Sequence, residues 1–253
     1  VTATEPGRAS ARPGPWLPPD LARRLLAEWV GTAFLLAAVV GSGIMAERLT
    51  DDVGLQLLQN AFATAGVLTA LILALGPASG AHFNPAVTLA DRALGGIDTP
   101  TAVGYLLAQI SGGIAGVLIA NAMFDLSIVE WSTRDRSAGH LVLAEGVATL
   151  GLLLVIFGVV RSGRASVAAF SVGGYIAGAY YFTSSTSFAN PAVTIARAFS
   201  DTFAGIDPAS VPGFLVAQLA ATAVAVVLVR ALYPDIGEVA DRVVVPHDGD
   251  DRS

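Results

Sequence analysis

The chain has 253 residues, of which 54% are hydrophobic and 13% charged, with a formal net charge of −6 and a mean hydropathy of +0.66. A soluble domain carries about 25% charged residues, so a wet globule is excluded, and an acidic chain without a basic stripe is no nucleic-acid binder. The lack of cysteine removes disulfides, thiolate metal sites and thiol nucleophiles.

Residues 1–19, rich in Pro, Gly and Arg, read as a disordered leader, and Asp20 after Pro18-Pro19 is placed to cap a first helix. The charge-free runs then set the elements: 29–46, 53–90, 99–124, 146–160, 165–196 and 208–229. A helix needs about 20 apolar residues to cross a bilayer, so the lipid bilayer is the solvent of a polytopic membrane protein. The first run is read as a retained span rather than a signal peptide, because nothing like a cleavage site follows it. Spans are predicted near 21–46, 54–76, 101–123, 139–160, 166–182 and 211–232, and residues 233–253 as an acidic tail.

Two runs are too long for one crossing. The 38 residues of 53–90 would make a helix about 57 Å long against a hydrocarbon core of about 30 Å. Gly76-Pro77-Ala78-Ser79-Gly80 is expected to stop the helix, and Asn84-Pro85 to restart it with Asn as N-cap and Pro at the first helical position. The 165–196 run repeats this, with Thr183 to Ser187 as a polar connection and Asn190-Pro191 as the restart. Half-helices are therefore predicted near 84–94 and 190–199. Non-helical backbone at that depth is tolerated only when buried in protein or lining a watery cavity.

The halves repeat each other. Ala27-Glu28 answers Ala144-Glu145, Asn84-Pro85-Ala86-Val87-Thr88 answers Asn190-Pro191-Ala192-Val193-Thr194, Gly96-Ile97-Asp98 answers Gly205-Ile206-Asp207, and Gly104 to Gln109 answers Gly213 to Gln218. Each unit, roughly 20–124 and 138–232, holds three spans, so the second copy enters the membrane inverted, which puts a site at the midplane where the broken helices meet. With both termini inside, Arg23, Arg24, Arg92, Arg161, Arg164 and Arg230 flank the cytoplasmic side, and Arg48, Arg134, Arg136 and Arg197 the outer one.

On Ser79-Gly80-Ala81-His82-Phe83-Asn84-Pro85-Ala86-Val87-Thr88, on Asn190-Pro191-Ala192 and on the repeated Ala-Glu, the chain resembles the aquaporin/aquaglyceroporin (major intrinsic protein) family over about residues 21–232. The resemblance implies an all-α hourglass of six transmembrane helices plus two re-entrant half-helices. It also implies a pore in each monomer, assembly as a homotetramer and residence in the cell inner (plasma) membrane. Small neutral permeants are its expected partners; no cofactor, metal or enzymatic role is implied. Physically, two half-helices meeting end to end point partial positive charge at the midplane, a barrier to protons and cations. Asn84 and Asn190 cap them and can donate to a passing oxygen, while backbone carbonyls of Gly80, Ala81, His82, Ser185 and Thr186, with Ser187 beside them, form an acceptor ladder. The ring of His82 is read as making a local hydrogen bond rather than a gate. The small residues Gly112, Gly113 and Gly116 read as close helix packing.

Glu28 and Glu145 lie in apolar spans, where a lone carboxylate is costly. They read either as proton-coupling groups of a secondary transporter or as braces accepting from the re-entrant backbone; the resemblance implies the brace. Most family members carry Arg directly after the second Asn-Pro-Ala, where this chain has Val193. Counting back from the motifs places Thr64, Gly178 and Ser187 around the same filter, with Phe188 as rival to Ser187. That ring has no aromatic wall and no fixed cation, so solutes wider than water are expected: glycerol, urea or undissociated metalloid acids such as arsenous acid, since Val at this position resembles a bacterial subgroup associated with arsenic resistance. Arg197, four residues on, is open between lining the vestibule and facing headgroups. A transporter on inverted repeats remains the rival reading; a junction protein lacks the long extramembrane segments it needs.

Overall fold

The computed structural model describes residues 19–234; the expected leader and acidic tail lie outside them except at their inner ends. Among the described residues there are eight α-helices and no strand: α1 (Pro19–Leu49), α2 (Val53–Ser79), α3 (Pro85–Leu94), α4 (Thr99–Met123), α5 (Gly139–Arg161), α6 (Ala168–Phe182), α7 (Pro191–Ala196) and α8 (Val211–Leu232). α1, α2, α4, α5 and α8 are each long and apolar enough to cross a membrane. α6 has only 15 residues, about 22 Å of rise, and the 3-10 turn Ala165–Val167 before it and the extended re-entrant chain after it complete its crossing.

The helix starts follow the cap chemistry. Asp52, Asn84, Asp98 and Asn190 each accept a backbone N–H from the first turn, and Pro85 and Pro191 occupy the first helical position, where no N–H is needed. One expected stop lies elsewhere. α2 runs through Gly76-Pro77 and ends at Gly80, whose φ of 85° turns the chain and whose N–H bonds the Gly76 carbonyl at 2.8 Å. Pro77 removes one N–H from the ladder without ending the helix, and the left-handed glycine supplies the stop.

α1 packs between α2 and α4, α5 against α6 and α8, and α2 joins α6 across the halves. The α1–α4 seam is close because α4 shows it glycine: a Cβ on Gly112 would collide with the Trp29 carbonyl, and one on Gly116 with that of Ala33. Outside the bundle, Leu26, Phe34, Phe62, Leu107, Leu143, Phe170, Val216 and Val227 are exposed, an apolar coat suited to lipid. The short half-helices α3 and α7 are buried inside it.

Candidate functional site: a membrane pore

Two loops, 80–84 and 186–190, carry the chain to the bundle centre. Each uses left-handed backbone at three places: Gly80, Ala81 and Phe83 in the first, Thr186, Ser187 and Ala189 in the second. Each trio member has its counterpart 106 positions on, the same spacing as Asn84 to Asn190. Five of the six are not glycine, a conformation costing about 1–3 kcal/mol per residue and held only where surroundings over-determine it.

Two glutamates do the holding. Glu28, fully buried on α1, takes the backbone N–H of His82 at 3.0 Å and the hydroxyl of Ser79 at 2.6 Å on Oε1, and the N–H of Phe83 at 2.7 Å on Oε2. Glu145 on α5 takes the N–H groups of Phe188 and Ala189, both at 2.8 Å. Gln109 of α4 and Gln218 of α8 close each network, bonding Oε2 of the glutamate at 2.7 Å and the hydroxyl of Thr88 or Thr194 in the adjoining half-helix. Both carboxylates thus spend their acceptors on loop backbone and an amide, the geometry of a brace.

The asparagines face each other across the repeat. Asn84 accepts the Ala86 N–H on Oδ1 and donates through Nδ2 to the Ala189 carbonyl at 2.8 Å; Asn190 accepts from Ala192 and donates to the Phe83 carbonyl at 2.8 Å. Each loop is tied to the other, and one N–H of each amide remains for a third partner. The His82 ring lies 3.0 Å from the Thr88 hydroxyl through Nδ1 and 3.7 Å from buried Asp91 through Nε2, with Tyr105 edge-on at 5.2 Å.

A narrow cavity of about 60 Å³ follows these loops. Its lining includes four apolar stripes at four-residue spacing, Leu35 and Val39, Leu68 and Ile72, Leu152 and Ile156, Val172 and Ile176, and the loop residues Ala81, His82, Phe83, Asn84, Ser187 and Asn190. Of the expected filter, Thr64, Ser187 and Val193 line it, Phe188 joins them, and Gly178 does not. Gly178 is exposed, because Val172, Ile176 and Tyr180 share the inward face of α6 and position 178 lies nearly opposite. Tyr180 stands there instead, its hydroxyl 3.1 Å from that of Thr64. Gly80, Ser185 and Thr186 also lie off the lining: Gly80 caps α2, and the Ser185 carbonyl accepts from Arg136 at 3.3 Å. The cavity lining therefore holds two aromatic rings and a cation beside the expected filter residues. Tyr180 and Phe188 supply rings, and Arg197, 2% exposed, lines the cavity rather than facing headgroups.

Residues 16–177 match the family model described as Major intrinsic protein. The chain belongs to the major intrinsic protein family. It is 48% identical over 213 residues to Aquaglyceroporin AqpS of Rhizobium meliloti, covering 84% of this chain and 91% of that protein. It is 32% identical over 192 residues to Aquaporin-5 of Ovis aries, covering 69% and 71%. The solved aquaglyceroporin of Plasmodium falciparum superposes with a TM-score of 0.62 over 87% of this chain and 99% of its own, at 20% identity, a likeness of fold. Major intrinsic proteins are channels, and the all-helical, multi-pass architecture here is theirs.

Gln109 and Gln218 were visible only as the ends of a repeated segment, yet they complete both braces. Tyr180 had no motif to mark it. Its signal was the inward stripe of α6, which a count back from Asn190 passes over because the intervening loop sets the register.

Proposed function

We propose that this chain is a passive transmembrane channel for water and small neutral solutes of glycerol size, including urea and undissociated metalloid acids such as arsenous acid, and that it excludes protons and ions. The observation that carries the reading is a cavity lined by apolar stripes together with Asn84, Asn190 and other residues of the two re-entrant loops. A small solute that carries both hydroxyls and carbon finds partners for each in such a lining. At the midplane each asparagine has one amide N–H left beyond its cross-loop bond. A water accepting from both is turned so that it cannot pass a proton along the file, and the positive ends of α3 and α7 repel cations.

The filter in this reading is Thr64, Ser187 and Val193, widened where relatives carry Arg, with Tyr180 and Phe188 as its rings. The chain works as a homotetramer in the cell inner membrane with both termini cytoplasmic; six arginines on one face of the bundle against four on the other favour that side. Glu28 and Glu145, the acidic groups a coupled transporter would need, have their acceptors filled by backbone and glutamine.

Stopped-flow light scattering on proteoliposomes, with water, glycerol, urea and arsenous acid side by side, tests this. Fluxes of glycerol and at least one other solute well above empty liposomes, linear in the gradient, are expected. Uptake against a gradient when a proton gradient is imposed would establish the transporter instead. Val193→Arg should cut glycerol flux while water still passes; if neither changes, Val193 is not in the constriction.

A further inference from the structure

A buried charge stands at the same repeat position in each half, within α3 in the first and directly after α7 in the second. Asp91 stands seven residues after Asn84, and Arg197 seven after Asn190, so the internal repeat lays a carboxylate on a guanidinium. The same repeat lays His82 on Phe188 and Val87 on Val193. The two ends use the position differently. In the first half His82 lines the cavity and Asp91 lies behind it, 3.7 Å from Nε2. In the second half the charge itself, Arg197, lines the cavity beside Phe188.

Arg197 is fixed in place. Its Nε donates to the Ala204 carbonyl, and its guanidinium carbon lies 3.4 Å from the centroid of the Phe188 ring, a stacked cation–π contact. Among the described residues it belongs to no ion pair, and Nη1 and Nη2 make no hydrogen bond to protein yet are not sealed. Arg136, 5.0 Å from the same ring, spends its donors on the Gly205 and Ser185 carbonyls and adds to the positive field.

We propose that Arg197 is the specificity-determining cation of the outer constriction, acting from one helical turn beyond Val193; the proposal rests on the channel reading above. The turn separates the two backbone positions by about 6 Å along the axis, so charge and width are set by separate residues. Arg197 repels cations and offers two free nitrogens to a permeant's oxygen, while Val193 leaves room for a carbon skeleton. The paired hydroxyls of Thr64 and Tyr180, 3.1 Å apart, complete the polar lining.

The test uses the full chain in liposomes and two readouts, glycerol flux by light scattering and methylammonium influx driven by an imposed potential. Arg197→Leu should raise methylammonium influx on the order of tenfold or more, since deleting a unit charge beside a low-dielectric path shifts a cation's energy by more than RT, with glycerol flux still above that of empty liposomes as the sign of a folded pore. Arg197→Lys should keep the exclusion, and Val193→Arg combined with Arg197→Leu should restore it while lowering glycerol flux. Arg197→Gln, neutral but able to hydrogen-bond, stands in if the leucine variant does not fold. A folded Leu or Gln variant that passes glycerol and stays closed to methylammonium overturns the proposal. Wild-type liposomes that pass neither water nor glycerol overturn the channel reading itself.

Discussion

At the scale of single residues, each brace turns one carboxylate into the fastening of an otherwise unfavourable loop. Replacing Glu145 by Gln leaves a single amide oxygen for the N–H groups of Phe188 and Ala189 and sets one amide nitrogen against Gln218. Each unsatisfied buried group costs about 1–3 kcal/mol. Glu145→Gln should therefore lower the melting temperature of the detergent-solubilised channel by several degrees and reduce solute flux, whereas Glu145 acting in proton coupling would alter only the pH dependence of transport. Asn190→Ala should cost about 1 kcal/mol for the lost cap and also release the tie to Phe83, so its flux should fall more than its melting temperature suggests. Asn84, Asn190, Glu28 and Glu145 were legible in the sequence because polarity inside an apolar run is conspicuous. The left-handed trios and Tyr180 were not, since backbone handedness and the facing of a short helix are settled by packing.

Among elements, the six spans and two half-helices could be read from charge-free runs and Asn-Pro restarts, while the end of α2 could not, because Pro77 is tolerated in its last turn. The α1–α4 seam makes a sharper test. A side chain on Gly116 meets the Ala33 carbonyl, which cannot move without displacing α1. Gly116→Val should sharply reduce the folded fraction recovered by size exclusion, while Gly174→Ala, where an added Cβ meets nothing, should leave it unchanged. Two exposed aspartates make the α4–α5 loop and the start of α4 acid-sensitive. Hydrogen bonds from Ser137, then from Ser210, hold Asp135 below the usual aspartate range, and those from Thr101 do so for Asp98. A depressed folded pKa contributes stability that is present above the unfolded value and lost as pH falls through the folded one. Hydrogen exchange at Ser137 and Thr101 should accordingly speed up as pH is lowered below about 4, after correction for intrinsic exchange.

For the molecule as a whole, inversion of the repeat places the α4–α5 connection and the α5–α6 turn on opposite faces. With no cysteine in the chain, single-cysteine variants can be read without background. Ser127→Cys should react with an impermeant maleimide on intact cells and Ser162→Cys only after lysis; the reverse pattern would invert the proposed orientation. Native mass spectrometry of the detergent-extracted chain should give a tetramer. The braces also bear on how such a molecule is made. The first loop waits on Glu28, 54 positions before His82, and on Gln109 in α4, while Asn84 finds its partner carbonyl 105 positions later in Ala189. A chain emerging from the ribosome cannot complete either loop until nearly all its helices are inserted. The conducting path is then the last thing to form, and a half-synthesised copy sits in the membrane without a finished hole through it.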